Sequence, residues 1–227
     1  MLIRSLVGAF ALSIALAGCS VGTTSGASAP PKPVGDSALD GLLLSVDAVN
    51  DIMGTSGMQQ HATVRQMADH RNMLPNLDCL GVWQVNEAPV YDSSHWKSVR
   101  QQLFRVPDTE AWDSLLVQSV VSYRTADGAH GFFTQSADRW SKCTNHNVNI
   151  RVNDQPLPAW KSGDLTKTDS RLSMPYTRGS GGLTRSCQHV LAVAANLIID
   201  VAACGPQVPN FAKGDEVAAE IESRLPR

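Results

Sequence analysis

The chain has 227 residues, of which 43% are hydrophobic and 18% charged, with a formal net charge of −2. That is an ordinary globular balance, in a chain long enough to bury one sizeable core. No basic run is present to neutralise phosphates, which argues against nucleic acid as a partner, and no apolar stretch reaches the roughly 18 residues of a membrane-spanning helix.

Met1-Leu2-Ile3-Arg4 opens the chain with a positive charge, and Ser5 to Ala17 is an uncharged, mostly apolar run. This is the pattern of an export signal. Leu16-Ala17-Gly18-Cys19 then resembles the lipobox of bacterial lipoproteins, in which the cysteine sulfur takes a diacylglycerol and the chain is cut just before it. Residues 1–18 are then a removable signal peptide. Cys19 is the lipidated residue, and the membrane is a partner through that anchor, on its outer face. A plain secretory signal with a chance cysteine is the alternative. Each buried CH₂ contributes roughly 0.8 kcal/mol, so two or three acyl chains hold a protein stably.

Residues 19–35 follow as the lipidated cysteine and a disordered tether. Twelve of the fourteen residues from Ser20 to Pro33 are Gly, Ala, Ser, Thr or Pro, too little apolar surface to offset chain entropy. The folded domain, residues 36–227, is expected to start near Asp36. Ser45 is a plausible N-cap for a helix through Val46, Val49, Ile52 and Met53, with Gly54 as its stop. Residues from Gly57 to Asn76 read largely as loop. Ser98 to Val106 alternates and predicts a strand, Leu115 to Tyr123 a second. From Ala126 to Trp140 the period changes, and Ala129, Phe132, Phe133, Ser136 and Trp140 line one helical face. Val148 to Val152 and Ser170 to Tyr176 are predicted strands, and Ala212 to Leu225 is an amphipathic helix through Val217, Ile221 and Leu225. This mixed order points to one α+β domain with a mainly antiparallel sheet flanked by helices.

Four cysteines remain beyond Cys19: Cys79, Cys143, Cys187 and Cys204. In an oxidising compartment an even set usually pairs. Gln188 to Ala203 holds two β-prone runs around Ala195-Asn196, and Asn tolerates the left-handed conformation of tight turns. With those two as the turn, opposite residues have numbers summing to 391, and Cys187 and Cys204 meet that condition. Counting outward makes them a non-hydrogen-bonded pair, whose Cα atoms approach to roughly 4.5 Å. Val190, Ala192, Leu197, Ile199 and Val201 then share the other face, toward a core. Cys79 is left to pair with Cys143. In the chain-entropy view the bridges contribute about 3 and about 4 kcal/mol, the longer loop more. Free or metal-binding thiols are the alternative; Cys143-x-x-His146 is only a weak metal hint.

Several of these segments together are similar to a known family, the PknH-like extracellular sensor domain, found in actinobacterial envelope lipoproteins and at the outer end of a transmembrane serine/threonine kinase. The residues that carry the resemblance are Cys79 with the segment to Tyr91, Val99, Gln101-Gln102, Val120-Val121-Ser122-Tyr123, Ala129, Phe133, Trp140-x-x-Cys143, Cys187, and Asn196 leading through Leu197-Ile198-Ile199-Asp200-Val201 to Cys204-Gly205. It spans roughly residues 37 to 225. It implies a twisted antiparallel sheet with helices against it, two disulfides and a groove for an extracellular ligand. It brings no catalytic motif, and neither a Gly-rich ATP loop nor a spanning helix is present in this sequence.

No G-x-S-x-G or H-E-x-x-H occurs, and six histidines lie scattered. Each reads best as a surface or internally satisfied residue. Nothing points to a metal or a cofactor. Trp96 and Trp160 lie in loop-like contexts and are the candidate ligand-binding residues, with packing over the sheet edge as the simpler reading. Trp140 reads as structural. The first functional reading is a non-enzymatic, lipid-anchored protein that binds a small envelope ligand or a protein partner in a groove. An apolar lining would favour a lipid. The alternatives are an envelope hydrolase with an unrecognised site, marked by clustered titratable groups in a pocket, and a structural envelope protein. Cys19→Ala is expected to move the protein from the membrane fraction to the soluble extracytoplasmic fraction without changing its unfolding midpoint; fractionation of cells with thermal unfolding reads both.

Overall fold

The computed structural model describes residues 33–153 and 155–226. The signal peptide, Cys19 and the tether to residue 32 lie outside the described residues. The helices are α1 (Leu39–Leu42), α2 (Val46–Met53), α3 (Leu77–Trp83), α4 (Ala88–Tyr91), α5 (Ala126–Lys142) and α6 (Lys213–Ser223). The strands are β1 (Gln59–Gln60), β2 (Ser98–Val106), β3 (Ser114–Ser122), β4 (Asn147–Val148), β5 (Arg151–Val152), β6 (Gln155–Pro156), β7 (Trp160–Ser162), β8 (Thr166–Lys167), β9 (Arg171–Arg178), β10 (Arg185–Ala194) and β11 (Leu197–Pro206). One sheet runs in the order β1-β2-β3-β11-β10-β9-β7-β4, with β8 also on β9, while β5 and β6 form a separate pair. Every strand pair is antiparallel, and helices cover both faces. The α+β architecture read from the sequence is the one observed.

The β10–β11 hairpin holds the predicted register, from Ala194 opposite Leu197 out to Cys187 opposite Cys204. Both disulfides form, Cys187–Cys204 with Cα atoms 4.0 Å apart and Cys79–Cys143 with 5.2 Å. At the turn it is Ala195, and not Asn196 as expected, that takes the positive φ, 51°. Asn196 serves instead as a buried clamp: Val34 N donates to its Oδ1 at 2.7 Å, and its Nδ2 donates to Val34 O at 3.2 Å and Tyr123 O at 2.8 Å. Val34, placed in the tether on composition, is thus buried and part of the domain. Gln118 holds Leu44 in the same two-point way, accepting from its N and donating to its O, both at 2.9 Å.

Alternation along β10 and β11 feeds two cores. Val190, Ala192, Leu197, Ile199, Val201 and Ala203 face α2 and α6. Leu191, Val193 and Ile198 face α3 and α5, where Phe132, Phe133 and Trp140 lie on the predicted helical face. Strand β2 shows what a one-faced reading missed. Its Arg100 and Gln102 face also carries Phe104, fully buried in the core under α2 and α6.

Helix α2 starts and stops where expected. Ser45 Oγ accepts from Ala48 N, and Gly54 closes it with φ 66°. Helix α3 has no counterpart in the sequence reading, although its N-cap was visible: Asn76 Oδ1 accepts from Asp78 N at 3.0 Å. The predicted strand from Val148 to Val152 is two separate pieces, β4 and β5, in different sheets. Among the described residues no helix is long and apolar enough to cross a membrane.

Asn196→Ala should destabilise the domain by about 2–4 kcal/mol, because three buried backbone groups lose their partners together. Urea unfolding measures it. A loss under about 1 kcal/mol would show that water replaces the amide.

Candidate functional site

A cleft of about 680 Å³ opens on the α6 side of the sheet. Its floor is made by alternate residues of two paired strands, Ser173, Pro175 and Thr177 of β9 with Ser186 and Gln188 of β10. One wall is the return from β11 into α6, with Val208, Phe211 and Asp215. The other is the stretch around β7 and β8, with Lys161, Gly163, Thr166 and Thr168. Gly214 allows the α6 terminus to sit this close to the floor. A Cβ there would lie 3.0 Å from Gln188 Oε1 and 3.1 Å from Val190 Cγ2, so a larger residue would push Asp215 away.

The polar groups of the floor are already fixed by one another. Gln188 Nε2 donates to Asp215 Oδ2 at 2.6 Å and to Ser173 Oγ at 2.7 Å, and Asp215 N donates to Gln188 Oε1 at 3.0 Å. Arg171 lies 3.6 Å from Asp215 Oδ1 and pairs with Glu222 at 2.7 Å. Such preset groups lose little side-chain freedom when a ligand binds. The lining combines hydroxyls, an amide, a carboxylate and a guanidinium with Pro175, Val208, Ala212 and the Phe211 ring, so the cleft offers apolar as well as polar contact. No histidine lines the cleft, and Cys187 beneath it is bridged.

The titratable cluster that could suggest chemistry lies elsewhere, sealed inside. His189 and Asp200 face each other across the hairpin, Nε2 to Oδ1 at 2.6 Å, with side chains 0% and 3% exposed. Nδ1 of His189 faces Val82 O at 2.6 Å and therefore donates there. Asp200 Oδ2 accepts from the Tyr91 hydroxyl at 2.7 Å and from Asn86 N at 3.2 Å. Burial first, then the Asp200 charge, raises the Tyr91 hydroxyl well above its ordinary pKa, so it stays a donor. Trp140 lies 4.8 Å from the His189 ring. Each hydrogen-bonding atom of the His189–Asp200 pair has a partner, which makes this an internal brace with no opening for a substrate.

A second buried acid reaches the surface. Glu87, 1% exposed, accepts from His70 Nδ1 at 2.6 Å and from His70 N at 2.9 Å. Asp69, the sequence neighbour of His70, pairs with Arg71 instead. The two candidate tryptophans are partly buried against the cores, and neither lines the cleft. Trp160 stacks on Tyr176 at 4.8 Å and stands edge-on to Trp83 at 6.3 Å. Trp96 packs against the core beneath α5. Cys143 of the Cys-x-x-His pair is bridged to Cys79, so that pair is not a metal site. The cleft residues escaped the sequence reading because they come from four separate segments with no shared motif.

The domain is thus a disulfide-bridged antiparallel sheet with helices on both faces and a cleft on the α6 side. Residues 34–224 match the PknH-like extracellular domain family, and the chain belongs to that family. It is 30% identical over 196 residues to the serine/threonine-protein kinase PknH of Mycobacterium bovis, covering 86% of this chain and 32% of that protein. Against PknH of Mycobacterium tuberculosis H37Rv the identity is 29% over 196 residues, with 86% and 30% covered. The chain thus spans about a third of the length of these relatives. The crystal structure of the extracellular domain of PknH from Mycobacterium tuberculosis superposes with a TM-score of 0.75 at 29% identity, covering 85% of this chain and 97% of that one.

The His70–Glu87 pair gives a pH signature. The hydrogen bond that His70 donates to Glu87 raises the His70 pKa above its ordinary value of 6.5, against an opposing desolvation effect. A raised folded-state value means stability that is fully present below about 6.5 and lost as pH rises through the folded value. The unfolding midpoint of the wild type should therefore exceed that of His70→Gln at acidic pH, and the gap should narrow above pH 6.5. A gap that is flat with pH would count against the pairing.

Proposed function

We propose that this chain is a lipid-anchored, non-enzymatic binding protein on the outer face of the cell membrane, which holds a small envelope ligand in the cleft between β9, β10 and α6. The observation that carries this reading is the preset floor. Gln188, Ser173 and Asp215 are locked by mutual hydrogen bonds beneath an open cleft of about 680 Å³. A purely structural surface has no need for such a concavity. The lining, apolar through Pro175, Val208, Ala212 and Phe211 and polar through Ser173, Thr177 and Gln188, fits a small amphipathic ligand. The lipobox and the family support the location, and the sealed His189–Asp200 brace supports a role without catalysis. Trp96 and Trp160 then act as packing groups, with Trp160 standing behind the cleft strand.

Thr177 projects from the floor into the cleft and is exposed. Thr177→Trp should fill the site without disturbing either core. Native mass spectrometry of the protein purified from its own envelope is expected to show a retained small molecule for the wild type and none for the variant, at an unfolding midpoint changed by no more than about 2 °C. A retained molecule that survives the substitution would place the ligand elsewhere. A wild type that is bare in repeated preparations would favour a protein partner.

A further inference from the structure

On the opposite face of the same strand pair, beyond the Cys187–Cys204 bridge, Arg178 and Arg185 stand directly opposite each other across β9 and β10. Like charges in that position destabilise a sheet. Both line a second cavity, of about 380 Å³, walled by Trp112, Ala111, Pro158 and Leu183, with Glu110 at its rim.

The donors here outnumber the acceptors. The Arg178 guanidinium lies 4.5 Å from the Trp112 ring centre and 5.9 Å from that of Trp160. It makes no hydrogen bond or ion pair with any described residue, which leaves five N–H groups unused at a half-buried position. Burial pushes its pKa below the usual arginine value; the Glu110 charge works against this, and the Arg185 charge adds to it. Arg185 donates from Nη2 to Asp113 at 2.6 Å and from Nη1 to Thr184 O at 3.3 Å, while its Nε is buried without a partner. The two acids on the rim are engaged: Asp113 with Arg185, and Glu110, 94% exposed, with Arg105 at 2.8 Å. Gly179 holds the root of the β9–β10 loop in place. Its φ is 90°, and a Cβ there would lie 2.6 Å from Leu183 O, so the loop keeps its tight path beside the cavity.

A desolvated guanidinium without an acceptor is costly, and planar N–H forks fit oxyanions in bidentate fashion. We propose that Arg178 and Arg185 form a binding site for a small ligand that carries an oxyanion, carboxylate or phosphate, on an apolar body. The oxyanion bridges the two cations and relieves their repulsion, and the body lies along Trp112, Pro158 and the exposed Leu183. The site is separate from the cleft on the other face and stands or falls independently of it.

The test titrates the full chain at constant ionic strength with hexyl phosphate, hexanoate, inorganic phosphate and hexanol, following the arginine Nε–H signals by NMR. Hexyl phosphate or hexanoate is expected to shift the Arg178 and Arg185 signals saturably, and which of them binds tighter assigns the oxyanion. Hexanol should leave them unmoved, and inorganic phosphate should bind more weakly than hexyl phosphate. Arg178→Gln and Arg185→Gln should each weaken binding about tenfold or more, the loss of a charge-assisted hydrogen bond. Arg178→Lys keeps the charge over Trp112 but loses the fork, and should weaken binding as well. Shifts that never saturate, or equal affinity in wild type and Arg178→Gln, would overturn the site. Equal binding of inorganic phosphate and hexyl phosphate would overturn the apolar part of it.

Discussion

The β10–β11 hairpin is buried on both faces, and the rest of the fold answers to that. A strand pair with two apolar faces needs cover on each side, so one core forms under α2 and α6 and another under α3 and α5. The hairpin also carries Cys187–Cys204 across its open end. A one-residue slip would exchange every side chain between the two cores and separate the cysteines.

Burial on both faces creates the domain's main electrostatic problem, a carboxylate inside the sheet. Asp200 is tolerated because the Tyr91 hydroxyl and the Asn86 N–H donate to one of its oxygens while the His189 ring bonds the other. Those partners pin the connection from α3 to α4. Asn86 adopts φ 57° there and passes its own Nδ2 to Gln101 and Ser119. Glu87, the next residue, is also buried and finds His70. One interior charge thus organises a segment that has little regular structure of its own. This is a structural use of a His–Asp pair, although the same atoms beside a cavity would suggest catalysis.

The strand pair β9–β10 presents different chemistry on its two faces because side chains alternate. Serine, threonine and glutamine face the cleft near α6. Tyr176, Cys187 and then Arg178 and Arg185 face the other way, toward Trp112 and Trp160. Trp160 reaches neither cavity, yet it sets the environment of Arg178 through its ring.

Local features were legible wherever a short-range rule applied. The Ser45 cap, the buried stripe of α5 and the 391 register follow from spacings within a few residues or from a two-residue turn that leaves no freedom in pairing. Helix α3 is illegible because its seven residues make only about two turns, too few to display a period. What the sequence by itself determined is therefore the long strands β2, β3, β9, β10 and β11, the helices α2, α5 and α6, and the cysteine pairing. Only the tertiary structure decided that residues near 163, 175, 188 and 215 share a cleft, and that Arg178 meets Arg185. The loops joining those segments have no single closure geometry, so the pairing across them is set by packing against two cores rather than by any local rule.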